Sequence, residues 1–358
     1  MIVTVRASEL AKELVFLEKI ITKKSTLPVL QNVFLQAHDG WLHLATTDLE
    51  IGLTTACQAK TVEHGAVTLP VLKLLEIVRS LEGAEMTITL DAKHKIHLTS
   101  GIFHSRLQMM PVEDFPVLPS PIDLTSTTLD RAAFLDMLSK TRFATVDDQR
   151  FFMNGALLVL DENQMLMVAV DGKRLALMTT PREGAQQPSA LLPTKAMDLM
   201  IALLTESSAA GISFIQSDRH LFFEIDGRLL ISRTIDGKFP AWEKIRPTDY
   251  VHSAMVGRAG LLTVVQRALL IGDVLTLTVN ENAIGIAATS TEIGDADEAV
   301  PCVYAGPEIT ITLRGAYLVD VLTAATGASV SLTFKDKSHP LLVTDGAYQN
   351  VIMVIAKV

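Results

Sequence analysis

Short apolar runs separated by turn residues are the dominant pattern of the chain, and they are clearest near its middle. Residues 156–160 and 165–170 are apolar runs, and residues 161–163 between them have turn chemistry. Asp171-Gly172 then supplies a hairpin-type dipeptide, because glycine readily adopts a positive φ angle. A third apolar run follows at residues 175–178. The pattern predicts three consecutive antiparallel strands.

The same strand–turn–strand module occurs again at residues 32–50 and at residues 274–289, so the chain contains three copies of it. Asp48 and Asp171 stand at equivalent places, 123 residues apart. Each copy also has an amphipathic helix before the module and a second helix and a hairpin after it. The six predicted helices span residues 7–24, 72–83, 130–146, 194–206, 257–272 and 314–327.

These repeats predict an α+β fold of three domains, each with two helices and about eight antiparallel strands. The Pro-rich stretch at 116–121 and the Arg246–Asp249 stretch have the composition of linkers. We therefore expect domains at residues 1–121, 122–247 and 248–358. Three such units suggest an arc that exposes sheet edges at both ends, and dimerisation is one way to cover such edges.

Composition narrows the class of protein. The chain has 358 residues, of which 49% are hydrophobic and 20% charged, values typical of a globular protein. Cys57 and Cys302 have no metal-ligand spacing, which favours a reduced, cytoplasmic compartment. The N-terminus lacks a signal peptide's apolar region, and no apolar run is long enough to span a membrane. The net charge of −9 argues against nucleic-acid binding by the average surface, though not by each face.

An enzyme is one alternative reading of the recurring aspartates. Asp48 and Asp171 could form a catalytic pair, yet each precedes a turn, where aspartate accepts hydrogen bonds from backbone N–H groups. The third copy has Ser290 at this place, which a capping role tolerates. His94 and His97 are three apart, and on a strand they would point to opposite faces. We expect no catalytic residue, no cofactor and no metal site.

A family resemblance covers essentially the whole chain, and four segments carry it: Ser25–Asn32, Thr47–Glu50, Arg150–Gly155 and Val168–Ala176. Through them the chain resembles the bacterial DNA sliding clamps, the beta subunits of DNA polymerase III. The resemblance implies a processivity factor, a homodimeric ring of six similar domains around duplex DNA. It also implies as partners the polymerase III catalytic subunit, the clamp loader, and other polymerases and repair proteins that bind through short peptides.

The resemblance implies a DNA-binding face on the helices, with Lys24, Arg79, Phe151 and Phe152 near the DNA. Phe151 and Phe152 stand where the family often has tyrosines, so the stacking surface is kept and the hydroxyl is lost. Across the six predicted helices lysine and arginine exceed aspartate and glutamate by 13 to 10, while the whole chain carries −9. A modestly cationic helix face suits sequence-independent contact with phosphates.

Two protein-binding surfaces follow from the same resemblance. The groove that receives partner peptides would be formed by Met153, Val170, Gly172, Lys173, Arg174, Leu175, Pro240, Ile245, Met353, Val354 and Ile355. The dimer contact would pair the edge strand at 103–109 with the partner's third domain, and it would involve Lys73, Arg106, Leu107, Leu269 and Leu270. For the apolar residues of both sets, a place in the ordinary core is the competing reading.

The chain departs from the family at two places in this groove. The family commonly ends Met-Pro-Met-Arg-Leu, whereas residues 353–358 here read Met-Val-Ile-Ala-Lys-Val, and Lys173 stands where histidine is common. Lysine does not replace the bidentate fork of arginine, so the preferred partner peptide stays open. Two alternatives to the main reading also stay open: a clamp-shaped scaffold that binds only proteins, and a second clamp copy with altered partner specificity.

Overall fold

The computed structural model describes residues 1–21, 27–81, 83–146 and 154–355. Within these ranges there are six α-helices and 24 β-strands, and each predicted repeat contributes two helices and eight strands. The expected α+β content is confirmed. The first repeat contains β1 Ile2–Arg6, α1 Ala7–Glu18, β2 Asn32–His38, β3 Trp41–Thr47, β4 Ile51–Glu63, β5 Gly65–Pro70, α2 Val71–Ser80, β6 Glu85–Leu90, β7 Ile96–Ser100 and β8 Phe103–Leu107.

The other two repeats follow the same order of elements. The second contains β9 Ser126–Asp130, α3 Arg131–Thr141, β10 Gly155–Leu160, β11 Gln164–Val170, β12 Arg174–Pro181, β13 Ala190–Pro193, α4 Thr194–Glu206, β14 Gly211–Gln216, β15 His220–Ile225 and β16 Arg228–Arg233. The third contains β17 His252–Gly257, α5 Arg258–Ala268, β18 Val274–Val279, β19 Ala283–Ser290, β20 Gly294–Tyr304, β21 Ile309–Arg314, α6 Gly315–Ala324, β22 Ser329–Phe334, β23 Leu341–Asp345 and β24 Tyr348–Ile352.

Five of the six helices are shorter than the sequence predicted, and α4 alone has its predicted bounds. In the first repeat α1 ends at Glu18, where residues 19 and 20 form a turn, although the apolar pattern continues to the buried Ile20. In the second repeat α3 gives way to a 3₁₀ helix, Arg142–Ala144. The apolar periodicity therefore marks buried positions correctly but runs past the end of the hydrogen-bonded helix.

Contacts divide the chain into two compact units, each of which contains one 12-stranded antiparallel sheet. The first unit comprises residues 1–132 and 198–234, and its sheet joins all eight strands of the first repeat to β9, β14, β15 and β16. Helices α1 and α2 pack together in this unit. The second repeat therefore supplies half of its strands to the sheet of the first.

The second unit comprises residues 133–197 and 235–358. Its sheet contains β10–β13 of the second repeat and all eight strands of the third. Helices α5 and α6 pack against each other and against a large buried apolar cluster that includes Val265, Leu277, Leu318 and Phe334. The sheet of each unit thus crosses a repeat boundary.

The two crossings use equivalent strands in the same register. In the first unit β4 pairs with β16, with Gly52 opposite Ile231. In the second unit β12 pairs with β24, with Leu175 opposite Val351. β4 and β12 are the fourth strands of their repeats, and β16 and β24 are the eighth strands of theirs. The repeats therefore join by a single rule: the fourth strand of one repeat pairs with the eighth strand of the next.

The turn aspartates act as backbone acceptors, as the sequence indicated. One carboxylate oxygen of Asp48 accepts hydrogen bonds from the N–H groups of Glu50 and Ile51 at 2.9 and 2.8 Å. Asp171 does the same for the N–H groups two and three residues further on, at 2.8 and 2.9 Å. The Ser290 hydroxyl accepts the corresponding pair at 3.4 and 3.3 Å in the third repeat.

We expect Asp48→Ala to lower the free energy of unfolding by about 1 kcal/mol, because two backbone N–H groups lose their acceptor. Asp48→Asn keeps an acceptor oxygen at the same distance and should cost less than half as much. Chemical denaturation of both variants measures the difference. An alanine variant as stable as the parent chain would show that water replaces the carboxylate at no cost.

Candidate functional site

Several residues of the predicted peptide groove lie together in a buried apolar cluster of the second unit. Val170 and Leu175 are 3% and 1% exposed, and they belong to a cluster with Val351 of the neighbouring strand β24 and with Phe239. The half-buried Ile245 and Trp242 pack against the same cluster. Phe239 belongs to this buried cluster, and the half-buried Pro240 follows it in the chain. The matching Phe115-Pro116 is the sequence signal that could have identified Phe239 as a residue of this cluster.

The rim of this groove is formed by the turn after β11 and by the chain after β24. Gly172 has a φ angle of +82°, which favours glycine there, and Lys173 is exposed. The Met353 N–H donates to the Lys173 carbonyl at 2.9 Å and so ties the two segments together. Met353 and Ile355 remain 42% and 37% exposed. The half-buried Val354 packs instead against the large cluster of the third repeat, and the Ile355 N–H donates to the Thr312 carbonyl at 2.7 Å. The prediction that Val354 faces the groove is therefore wrong, because this side chain contributes to the core.

Arg174 is engaged within the protein. Its guanidinium donates to the Asp171 carboxylate at 2.9 Å, to the Asp320 carboxylate and to the Phe143 carbonyl. The guanidinium carbon also lies 4.9 Å from the Phe143 ring centre and 4.6 Å from that of Tyr317. Since neighbouring side chains on a strand point to opposite faces, Arg174 lies on the face opposite Leu175.

Arg174 therefore joins the second repeat to helix α6 of the third, directly beneath the groove. This role was not visible in the sequence, since Asp320 is 146 residues away along the chain. The contacts make Arg174 a residue that positions the turn carrying Gly172 and Lys173. Of the other predicted groove residues, Met153 lies outside the described residues.

The four predicted DNA-binding residues divide into three outside the described ranges and one on a helix. Lys24, Phe151 and Phe152 lie outside the described ranges, and Arg79 is exposed in the last turn of α2. With the helix bounds of the structure, the six helices contain eight lysines and arginines and eight aspartates and glutamates. The predicted cationic excess is wrong for the helices as the structure bounds them. Lys19, Arg142 and Arg314 lie beyond the helix ends and Lys23 and Lys24 lie outside the described residues, whereas the acidic count loses only Glu82 and Asp130.

The predicted dimer residues lie on the edge strand β8, on helix α2 and just after helix α5. Strand β8 is the last strand at one end of the first sheet, with Arg106 exposed and Leu107 half-buried. Lys73 is exposed and pairs with Glu76 on the same helix. In the third repeat Leu270 is 75% exposed just after α5, whereas Leu269 packs partly against the core.

Three observations concern thiol reactivity, metal binding and membrane-spanning helices. Burial, followed by the charge of Glu13, raises the pKa of Cys57 to about 12, so this thiol stays protonated and unreactive at neutral pH. Within the described ranges no group of three histidine, cysteine or acidic residues is arranged to hold a metal ion. No helix there is long and apolar enough to cross a membrane.

Comparison with known proteins identifies the family. The N-terminal, central and C-terminal domain profiles of the DNA polymerase III beta subunit match residues 1–119, 128–241 and 243–358. The chain belongs to the DNA polymerase III beta subunit family. The resemblance seen in the sequence is thereby confirmed.

Individual relatives agree over the whole chain. The beta sliding clamps of Salmonella typhimurium and Pseudomonas putida are 28% and 27% identical, and each alignment covers 98% of both chains. The crystal structure of the Caulobacter crescentus DNA polymerase sliding clamp superposes with a TM-score of 0.94 at 26% identity, and the match covers 100% of both chains. As a member of the beta subunit family, the chain is a non-catalytic DNA polymerase processivity factor in DNA replication. This favours the clamp over a scaffold that binds only proteins.

Proposed function

We propose that two copies of this chain close head to tail into a ring around duplex DNA, with the three domains bounded as the repeats suggest, at 1–121, 122–247 and 248–358. The ring would hold the polymerase III catalytic subunit, the clamp loader and repair proteins through the groove at Val170 and Leu175, in the cytoplasm.

The observation that carries this proposal is the single rule by which the repeats join. β4 pairs with β16, and β12 pairs with β24, in one register. The remaining fourth strand, that of the third repeat, is β20, and the remaining eighth strand, that of the first repeat, is β8. Along Gly294–Pro301, β20 pairs with β19, and β8 pairs with β7 at the end of its sheet. A second copy of the chain can satisfy both open edges by the same rule.

The rule also fixes which residues would face each other across the two copies. Ile231, Val351 and Arg106 each stand four residues into the last strand of their hairpins, and Gly52, Leu175 and Asp295 are equivalent on the opposing strands. Arg106 of one copy would therefore lie opposite Asp295 of the other.

A shift of two residues along each of these strands gives a second pair of facing residues. Leu229 lies opposite Thr54, and Gln349 lies opposite Leu177. The equivalent residues at the open edges are His104 and Asp297. Both inferred pairs place a basic side chain opposite an acidic one, and this charge complementarity supports the register. The exposed Leu270 supplies apolar surface near the same edge.

The groove offers what an extended partner peptide requires: buried apolar side chains beside exposed backbone at a turn. The tail at 353–355 completes its accessible edge. A chain that ends at Ile352 keeps strand β24 but loses the exposed Met353 and Ile355, together with the core packing of Val354 and the hydrogen bond from Ile355 to Thr312.

Primer extension on a primed circular template, with the polymerase III catalytic subunit and a clamp loader, tests this function. We expect the full chain to lengthen the products made in a single binding event, and the chain that ends at Ile352 to remain dimeric without doing so. Product length that is independent of the full chain would contradict the proposal. Full activity of the shortened chain would remove the tail from the groove.

A further inference from the structure

The first unit contains a second cleft at the place that corresponds to the peptide groove. Its volume is about 220 Å³, and it lies where β4 meets β16, as the groove lies where β12 meets β24. Its lining includes Leu49, Gly52 and Pro116, which are equivalent by repeat to Gly172, Leu175 and Pro240. The Arg233 N–H donates to the Glu50 carbonyl at 2.8 Å, the counterpart of the bond between Met353 and Lys173.

The apolar surface of this cleft is built differently from that of the groove. Gly52 leaves the space that Leu175 fills in the other repeat, and a Cβ atom at Gly52 would lie 3.0 Å from the Leu118 side chain. Leu118 therefore supplies the floor from the covering segment. Val117 of that segment is 97% exposed at the margin. Two apolar side chains thus remain available to a ligand.

Leu49 has an unusual conformation at the mouth of the cleft. Its φ angle is +78°, in the left-handed region that non-glycine residues avoid, and its side chain is 47% exposed. The equivalent residue of the groove is Gly172, which has nearly the same φ angle without strain. A leucine here strains the backbone and leaves apolar surface in water. Neither cost is offset by burial in the fold.

The part of the lining that comes from the end of β16 and the turn before β15 is basic. Arg219 and Arg233 are exposed and line the cleft, together with the half-buried His220. The pKa of His220 is lowered first by burial and then by the positive charges of Arg233 and Arg219. Glu50 of the Leu49 turn is the one carboxylate among the residues that line this cleft, against the two arginines.

We propose that this cleft binds a second class of partner peptide, an extended segment with one apolar anchor flanked by carboxylates. The anchor would lie against Leu49 and Leu118, and the carboxylates would face Arg219 and Arg233. The volume admits one or two side chains, which favours a short linear motif over a folded domain. At the place where the other groove has Lys173 this cleft has Glu50, so the charges around the two sites are arranged differently. The inference concerns a single chain and does not depend on ring closure.

Fluorescence anisotropy with the full chain tests the proposal. The probe is a fluorescein-labelled acetyl-Asp-Glu-Leu-Asp-Gly peptide, and the control probe replaces its acidic residues with their amides. We expect Arg233→Glu to weaken the acidic probe about tenfold or more, because a favourable charge pair becomes repulsive. We expect Lys173→Glu, in the other groove, to change binding less than about twofold, and the amide probe to bind about tenfold more weakly than the acidic one.

Leu49→Gly is a second variant, and we expect it to fold normally because glycine adopts a φ angle of +78° without strain. It should weaken the acidic probe about tenfold through loss of the apolar contact. Equal binding of both probes would overturn the proposal, as would loss of binding in Lys173→Glu alone or no saturable binding below about 1 mM. Displacement of the probe by an oligothymidylate, with the same dependence on Arg233, would assign the cleft to nucleic acid instead. None of these results affects primer extension by the full chain.

Discussion

Arg106→Asp should weaken self-association of the chain about 100-fold. The inferred register places Arg106 opposite Asp295 of the second copy, so the substitution sets two carboxylates against each other at both contacts of a ring. At about 1.5 kcal/mol for each contact, the dimer loses about 3 kcal/mol. Light scattering coupled to size exclusion at micromolar concentration, repeated over a dilution series, measures the shift from dimer to monomer.

The rescue variant makes this prediction specific to the register. Asp295→Arg combined with Arg106→Asp restores an opposite-charge pair and should recover most of the dimer. Glu308→Arg is the matched control, because Glu308 is an exposed carboxylate of the third repeat that the rule does not place opposite Arg106. Equal rescue by Glu308→Arg would mean that net charge alone governs association. No rescue by Asp295→Arg would contradict the register.

Arg174→Ala should lower the free energy of unfolding by about 2–3 kcal/mol and weaken peptide binding in the groove. The substitution leaves Asp171 and Asp320 without their cation and the Phe143 carbonyl without its donor. Removal of one partner from a fully buried ion pair costs about 3–5 kcal/mol, and the cost is smaller here because Asp320 is 41% exposed. Chemical denaturation measures the stability, and titration with a partner peptide measures the binding.

Two controls separate charge from geometry in this experiment. Arg174→Lys keeps the charge but loses the fork that reaches three acceptors at once, so it should recover less than half of the lost stability. Lys173→Ala changes the exposed neighbouring residue and should leave stability unchanged. The dimer should persist in all three variants. An Arg174→Ala chain of parental stability would show that these contacts do not hold the two repeats together.

The strand content and the repeat order were predictable because they depend on local patterns. Short apolar runs and turn dipeptides each lie within a few residues, and the module they form recurs at a spacing of 123 residues, as Asp48 and Asp171 show. The capping role of these aspartates was confirmed for the same reason, since the acceptor and its N–H donors are at most three residues apart.

The features that sequence reasoning missed depend on contacts between distant residues. The binding of Arg174 to Asp320 requires the pairing of β12 with β24, which no local pattern reveals. Arg131 and Arg258 begin α3 and α5, and each donates to carbonyls at the end of the next helix, those of Leu204 and Leu322. The count of helix charges treated both arginines as surface charge, although their guanidinium groups are engaged by backbone carbonyls.

The most direct test of the ring is retention of the chain on DNA of different topology. The chain is loaded by a clamp loader on nicked circular DNA, and the bound fraction is measured by gel filtration before and after the circle is cut once. A closed ring that makes only sequence-independent contacts should remain on the circle and slide off the cut ends. Equal retention on both forms would contradict encirclement and would mean that the chain binds DNA through its surface.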